Sequence, residues 1–304
     1  MRQDPTLCRE FHSLEDVVGV KGEESVPALP RGARLPINRC NLPAAIIGGL
    51  TYQRNPAPLV IDGVWELHRS LFEMLDGLPD VARRAQRFVD YMVVSFRLEA
   101  LEEAGLSPDF GRLAPCRNRA PARGNSNYQR VVRGWAFDAD GREAAVLKGW
   151  VESRFGLTPR YHRGSLADTG SEVYWRYLEA RSAGLYGTNA LEAQLDLLYA
   201  YTQYELHRPD PDRTHLTLYR GVNKLDAHER IAGHGRSDSI YLLNNLNSFS
   251  TSRERASEFG DYILQAEVPL TKIFFYNHLL PGMLKGEDEF AVIGGLYAVQ
   301  VTTF

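Results

Sequence analysis

The interval at which apolar residues recur changes once along this chain, near Pro211, and that change constrains the fold more than any single residue. Before it, apolar side chains return every three or four positions, the spacing that lines one face of a helix. Val64, Leu67, Leu71, Phe72 and Leu75 form one such stripe. Pro79 and Asp80 open a second helix, whose stripe runs through Val81, Ala85, Phe88, Val89, Met92, Phe96 and Leu101 until Gly105. The pattern resumes over 142–155 and 171–182. The clearest helix spans 190–206, opened by a capping box of Asn189 and Glu192 and closed before Pro209. Its tyrosines at 199–204 read as core. After Pro211 the runs are short, β-rich and bounded by Gly, Pro and Asn: 215–220, 246–250, 261–268, 272–276, 289–293 and 296–303, with one short helical run over 253–259. The expected fold class is α+β, a mostly helical N-terminal portion followed by a sheet.

Two stretches lack either interval. Residues 1–60, rich in Pro, Gly and Arg, read as an extended wrap. Residues 107–140, dense in Arg, Pro, Asn and Gly, read as a long loop or a segment that orders on a partner, and so as a linker. The expected division is a helical region over 1–140 and a second domain over 141–304, with helices at 142–206 and a β core at 215–304. Within the linker, Arg112, Arg117, Arg119, Arg123, Arg130 and Arg133 form either a solvated loop or a dock for an acidic protein surface.

The 304 residues are 44% apolar and 24% charged, with a net charge of -3. That composition fits a soluble globular protein and gives no broad electrostatic footprint for nucleic acid. The first twenty residues mix acids and bases where a secretory signal needs an apolar stretch, and the longest apolar run, 44–50, is far short of the ~20 residues that span a bilayer. Cys8, Cys40 and Cys116 are too widely separated for a disulfide framework or a zinc site, and His207, His215, His228 and His234 lack metal-ligand spacing. A cytoplasmic protein without a metal is expected.

Three short motifs lie at the ends of predicted strands: Tyr219-Arg220-Gly221, Phe249-Ser250-Thr251-Ser252 and Glu287-Asp288-Glu289. Each is common alone; about one Glu-x-Glu is expected by chance in a chain this rich in Glu. Their joint order is far less so, with thirty residues from Arg220 to Ser250 and thirty-nine from Ser250 to Glu289. In that order and setting they resemble the mono-ADP-ribosyltransferases that carry an Arg, Ser-Thr-Ser and Glu-x-Glu signature. Ala256 and Phe259-Gly260 stand where that family has an Ala and a Phe-Gly on a short helix, and 279–286 stands in place of its target-recognition loop. This similarity covers roughly residues 215–304. The segments LPINRCNLPAAIIGGLTYQ, DYMVVSFRLEALEEAGL and GREAAVLKGWVESRFGLTPRYH further resemble the dinitrogenase reductase ADP-ribosyltransferase branch, over almost the whole chain.

The resemblance implies a mixed β-sandwich ADP-ribosyltransferase core and NAD⁺ as co-substrate. It also implies transfer of ADP-ribose to one arginine of the nitrogenase iron protein, which reversibly inactivates nitrogen fixation and releases nicotinamide, under the control of a PII signalling protein. Physical roles follow for the motif residues. Arg220 offers a planar fork of donors suited to the pyrophosphate oxygens, beside Tyr219. Gly221 permits close backbone approach, with its amide a candidate partner for the nicotinamide carboxamide. Ser250 can bond both the ribose and a neighbouring carboxylate, and so hold the catalytic Glu in one rotamer; Thr251 and Ser252 brace the strand. Phe259 either stacks on the nicotinamide ring or is plain core. Loss of nicotinamide leaves positive charge at the ribose C1′, which a fixed carboxylate stabilises, the role expected of Glu289. Glu287, two residues earlier, points the same way if the chain is extended there, and would orient the acceptor arginine and take its proton.

Two other functions fit the same motifs: an arginine ADP-ribosyltransferase toxin or effector acting on another protein, and a binding module of the same fold that has lost catalysis. The missing secretory signal and the full-length likeness weigh against the first. The presence of every expected side chain weighs against the second.

Overall fold

The computed structural model describes residues 26–98, 127–185, 189–225, 229–233, 239–280, 282 and 288–303. Expectations for 1–25, most of the Arg-rich stretch, Cys8, Cys116, His228, His234, most of the 279–286 loop and Glu287 fall outside these residues.

From residue 26 onward the N-terminal stretch is more than an extended wrap. A 3-10 turn at Arg31–Ala33 and two short helices, α1 (Ala44–Ile47) and α2 (Leu50–Arg54), bury Ile47, Leu50 and Tyr52. Helices of one turn are too short to show a stripe, so periodicity could not reveal them. The stripe from Val64 is two helices, α3 (Val64–Leu67) and α4 (Arg69–Asp76), broken at His68. The break turns Leu67 out to solvent while Val64, Leu71, Phe72 and Leu75 stay buried. Next comes α5 (Val81–Phe96), opened by Asp80 Oδ1 accepting from the Arg83 amide at 2.8 Å and ended by Arg97 in the left-handed region at φ 53°.

The expected linker contains a helix, α6 (Tyr128–Phe137). Asn127 Oδ1 accepts from the Gln129 amide at 2.8 Å to open it, and Tyr128, Val131, Val132 and Trp135 form its buried stripe. Then follow α7 (Arg142–Phe155), α8 (Glu172–Gly184) and α9 (Ala190–His207). The capping box expected at α9 does not form. Asn189 is itself helical (φ -81°, ψ -5°) and makes no side-chain cap, while Glu192 lies 3.4 Å from the Arg154 guanidinium. The tyrosines do pack inward: Tyr201 stacks on Phe88 at 4.0 Å, and Tyr199 donates to the Thr271 carbonyl at 2.8 Å.

The sheet comprises β1 (His215–Val222), β2 (Glu229–Ala232), β3 (Ser239–Ser250), β4 (Tyr262–Pro269), β5 (Ile273–Tyr276) and β6 (Glu289–Thr303), with α10 (Arg253–Ser257) after β3. β2 and the first half of β3 had no counterpart in the sequence reading. The two runs expected at 289–293 and 296–303 are one strand, bent at Gly294-Gly295. Gly295 has φ +114°, and a Cβ there would fall 2.6 Å from Gly48 Cα, where α1 ends and Gly48 accepts from the Leu296 amide at 2.8 Å. The α+β class is as expected, but the pairings among the described strands are all antiparallel rather than mixed. The order is β2-β3-β1-β4-β6-β5, and β3 also pairs β6, so β1, β4, β6 and β3 close a ring. One core cluster joins the helices to the sheet through Leu71, Phe88, Trp135, Leu198, Phe274 and Ile293, spanning both sides of position 140. A second, with Leu218, Leu243, Leu264, Val292 and Val301, fills the sheet's other face. No helix among the described residues is long and apolar enough to cross a membrane.

Candidate active site

Strand register brings the three motifs into one row. Tyr219 of β1 is opposite Ser250 of β3, which is opposite Glu289 of β6. Arg220 follows Tyr219, and Ser248 shares the Ser250 face of β3 because side chains alternate. A cleft of about 380 Å³ opens along this row, lined by Tyr219, Arg220, Gly221, Ser250, Phe259 and Glu289 together with Trp135 and Ser248. That volume is in the range of small-molecule sites. Thr251 and Ser252 do not line it. Thr251 is exposed, and Ser252 Oγ caps α10 by accepting from the Arg255 amide at 3.2 Å.

Close packing explains two of the small residues. A Cβ on Gly221 would fall 1.9 Å from the Ala256 carbonyl oxygen, and one on Gly260 would fall 2.2 Å from the Val222 carbonyl carbon. Any side chain at either position would push α10 off β1 and open the cleft wall. Phe259, at the turn that follows, is 63% exposed at the cleft rim and is therefore not core. Phe137, at the end of α6, is 94% exposed on the same rim.

Among the described residues, two neutral donors reach Glu289. Its Oε1 accepts from Trp135 Nε1 at 2.9 Å and from Ser248 Oγ at 2.5 Å. This corrects the expectation that Ser250 holds the carboxylate: Ser250 Oγ instead accepts from the Ser252 amide at 3.0 Å. Neither donor belongs to the three sequence motifs. For Ser248 the available signal was alternation with Ser250; for Trp135 it was the four-residue stripe of α6. Asp288 also lines the cleft, 3.4 Å from His278 Nε2.

Arg220 donates from Nη1 to the Ser248 carbonyl at 2.8 Å, and its buried Nε has no hydrogen-bond partner among the described residues. Burial lowers its pKa to about 10, opposed by the charges of Glu289 and Asp140, so it remains a cation at neutral pH. A half-buried cation with one carbonyl partner among the described residues, at the wall of a cleft, is suited to an anionic ligand. Behind Trp135 lies a second chamber of about 640 Å³ that shares Arg220 and Ser248. Its floor is Lys148, paired with Asp140 at 2.8 Å and 3.3 Å from His162 Nδ1. Burial, reinforced by the Lys148 charge, pushes the His162 pKa down to about 4.

The family model for dinitrogenase reductase ADP-ribosyltransferase matches residues 37–301. An NAD(+)--dinitrogen-reductase ADP-D-ribosyltransferase from Rhodospirillum rubrum is 38% identical over 267 residues, covering 87% of this chain and 94% of the relative. No solved structure gives a significant match. With a family match over most of its length and a full-length relative at this identity, the chain belongs to the dinitrogenase reductase ADP-ribosyltransferase family.

Proposed function

We propose that this chain transfers ADP-ribose from NAD⁺ to one arginine of the nitrogenase iron protein, releasing nicotinamide and reversibly switching nitrogen fixation off in the bacterial cytoplasm. The observation that carries this reading is the Glu289 carboxylate, fixed by two donors in the cleft that also exposes Arg220 and Ser250. The target comes from the R. rubrum relative, whose name specifies dinitrogen reductase.

In this reading Arg220 binds the pyrophosphate through the part of its guanidinium that lines the cleft. Tyr219, Gly221 and Ser250 bound the nicotinamide ribose, Phe259 covers the nicotinamide ring, and Thr251 and Ser252 support the strand end from outside the cleft. The C1′–N bond breaks with its electron pair going to nicotinamide, which neutralises the ring cation. The positive charge that develops at C1′ and the ring oxygen lies against Glu289. A guanidine nitrogen of the acceptor then bonds to C1′ and loses a proton, and Glu287 orients that group and takes the proton. By the same resemblance, a PII signalling protein is the regulator, which co-purification of the two proteins tests.

The test is anaerobic incubation with labelled NAD⁺ and nucleotide-bound iron protein, followed by peptide mapping. One label on one arginine is the expected result. Labelling of actin or a GTPase with none on the iron protein would overturn the proposed target.

A further inference from the structure

The two donors that hold Glu289 come from different parts of the fold. Ser248 is on β3, which pairs directly with β6. Trp135 is on α6, and α6 is fixed by other helices. The Tyr128 amide donates to Gln194 Oε1 of α9 at 2.9 Å, and the Tyr128 ring meets Phe88 of α5 edge-on at 6.3 Å. α6 packs so tightly on α7 that a Cβ at Gly134 would fall 2.5 Å from the Glu143 Cβ. Trp135 itself is 3% exposed. Its indole is thus carried to the sheet by a helix that is anchored on α5, α7 and α9.

We infer that Trp135 is a positioning residue for the transfer reaction: its indole N–H, together with the Ser248 hydroxyl, holds the Glu289 carboxylate in one orientation, so the helices complete a centre whose other parts belong to the sheet. This rests on the role proposed above for Glu289. A glutamate side chain has three freely rotating torsions, and two donors converging on one oxygen remove that freedom before substrate arrives. The chemistry of the donors matters as much. An indole N–H can only donate, so it commits Oε1 to accepting. Being neutral, the indole and hydroxyl orient the carboxylate without cancelling the negative charge that must face C1′, as a lysine or arginine in their place would. Ser248 has a second task, since its backbone carbonyl accepts from Arg220 Nη1 at 2.8 Å, so the phosphate-binding and charge-stabilising groups share one anchor.

The test compares Trp135→Phe, which keeps the ring and deletes the donor, with Ser248→Ala and the double variant, each checked for an unchanged melting temperature. For Trp135→Phe, kcat is expected to fall about tenfold to a hundredfold while KM for NAD⁺ stays within about twofold. The double variant should lose more than the product of the two single losses, because either donor alone retains part of the orientation. A second readout needs no turnover: the indole N–H proton resonance that vanishes in Trp135→Phe should shift upfield in Glu289→Gln, where an amide replaces the charged acceptor. An unchanged kcat in Trp135→Phe, or an indole resonance indifferent to Glu289→Gln, overturns the inference alone. If the indole responds but the unaltered protein neither modifies an acceptor nor cleaves NAD⁺, the functional reading falls and takes the inference with it.

Discussion

The helices and the sheet treat their buried cations differently. Among the helices, each deeply buried cation meets a carboxylate. Arg84 of α5 makes a two-pronged pair with Glu205 of α9, both bonds 2.8 Å, and donates to two further carbonyls. Arg154 grips Asp196 at 2.7 and 2.9 Å, and Lys148 pairs Asp140 at 2.8 Å. On the sheet side, Lys272, at the end of the 3-10 turn Leu270–Lys272 that leads into β5, donates to the Gly294 carbonyl of β6 at 2.9 Å and faces the Tyr297 ring at 4.6 Å, while Arg220 of β1 donates to the Ser248 carbonyl. Neither forms an ion pair among the described residues. Lys272 is sealed in the core beside Gly294 of β6, but Arg220 lines a cleft. A paired buried cation is part of the scaffold; a cation left with a carbonyl at a cleft wall retains binding capacity for an anion.

Three substitutions probe that contrast. Arg84→Met strands the Glu205 carboxylate in the core, with an expected loss of about 3–5 kcal/mol in denaturant unfolding; Arg84→Met/Glu205→Leu should recover most of it. Failure of the double variant to recover would mean that the pair does more than satisfy its own charges. Arg220→Ala should act on binding instead. Calorimetric titration should show NAD⁺ affinity weakened about tenfold to a hundredfold, with a stability change of about 1 kcal/mol or less. A large loss of stability with unaltered affinity would place Arg220 with the scaffold cations.

Lys272→Met should have the smallest effect, about 1 kcal/mol of added stability near pH 6. Its sign reverses the usual ion-pair case. Burial lowers the Lys272 pKa from 10.5 to about 7, so between those values the unfolded chain holds a proton that the folded chain has released. Stability of the parent therefore rises with pH across that window by about 1.4 kcal/mol per pH unit, so the small advantage of the variant near pH 6 should reverse before pH 10.5. A difference constant with pH would mean that the amine is already neutral, or fully charged, throughout.

The same contrast explains which parts were legible in the sequence. That Arg220, Ser250 and Glu289 lie together could be anticipated because strand ends with distinctive neighbours carry them, and β register brings those ends into one row. Trp135 and Ser248 reach Glu289 across space, from 154 and 41 positions away, and no local pattern encodes such a contact. α6 was hidden by its Arg-rich surroundings and its single stripe. The Asn189-Glu192 pattern had the form of a capping box, but Asn189 continues the helical backbone and Arg154 draws Glu192 away, so tertiary charge outweighed local propensity. His68 broke the stripe from Val64 without any glycine or proline to announce it.

The most direct test of the account is Glu289→Gln, which keeps the shape of the side chain and its place beside Trp135 and Ser248 while removing the charge. Single-turnover transfer from NAD⁺ should slow about 10²–10³-fold, with NAD⁺ affinity within about twofold of the parent. Unchanged turnover, or a loss explained entirely by weaker NAD⁺ binding, would contradict the assignment of Glu289 as the group that meets the developing charge at C1′.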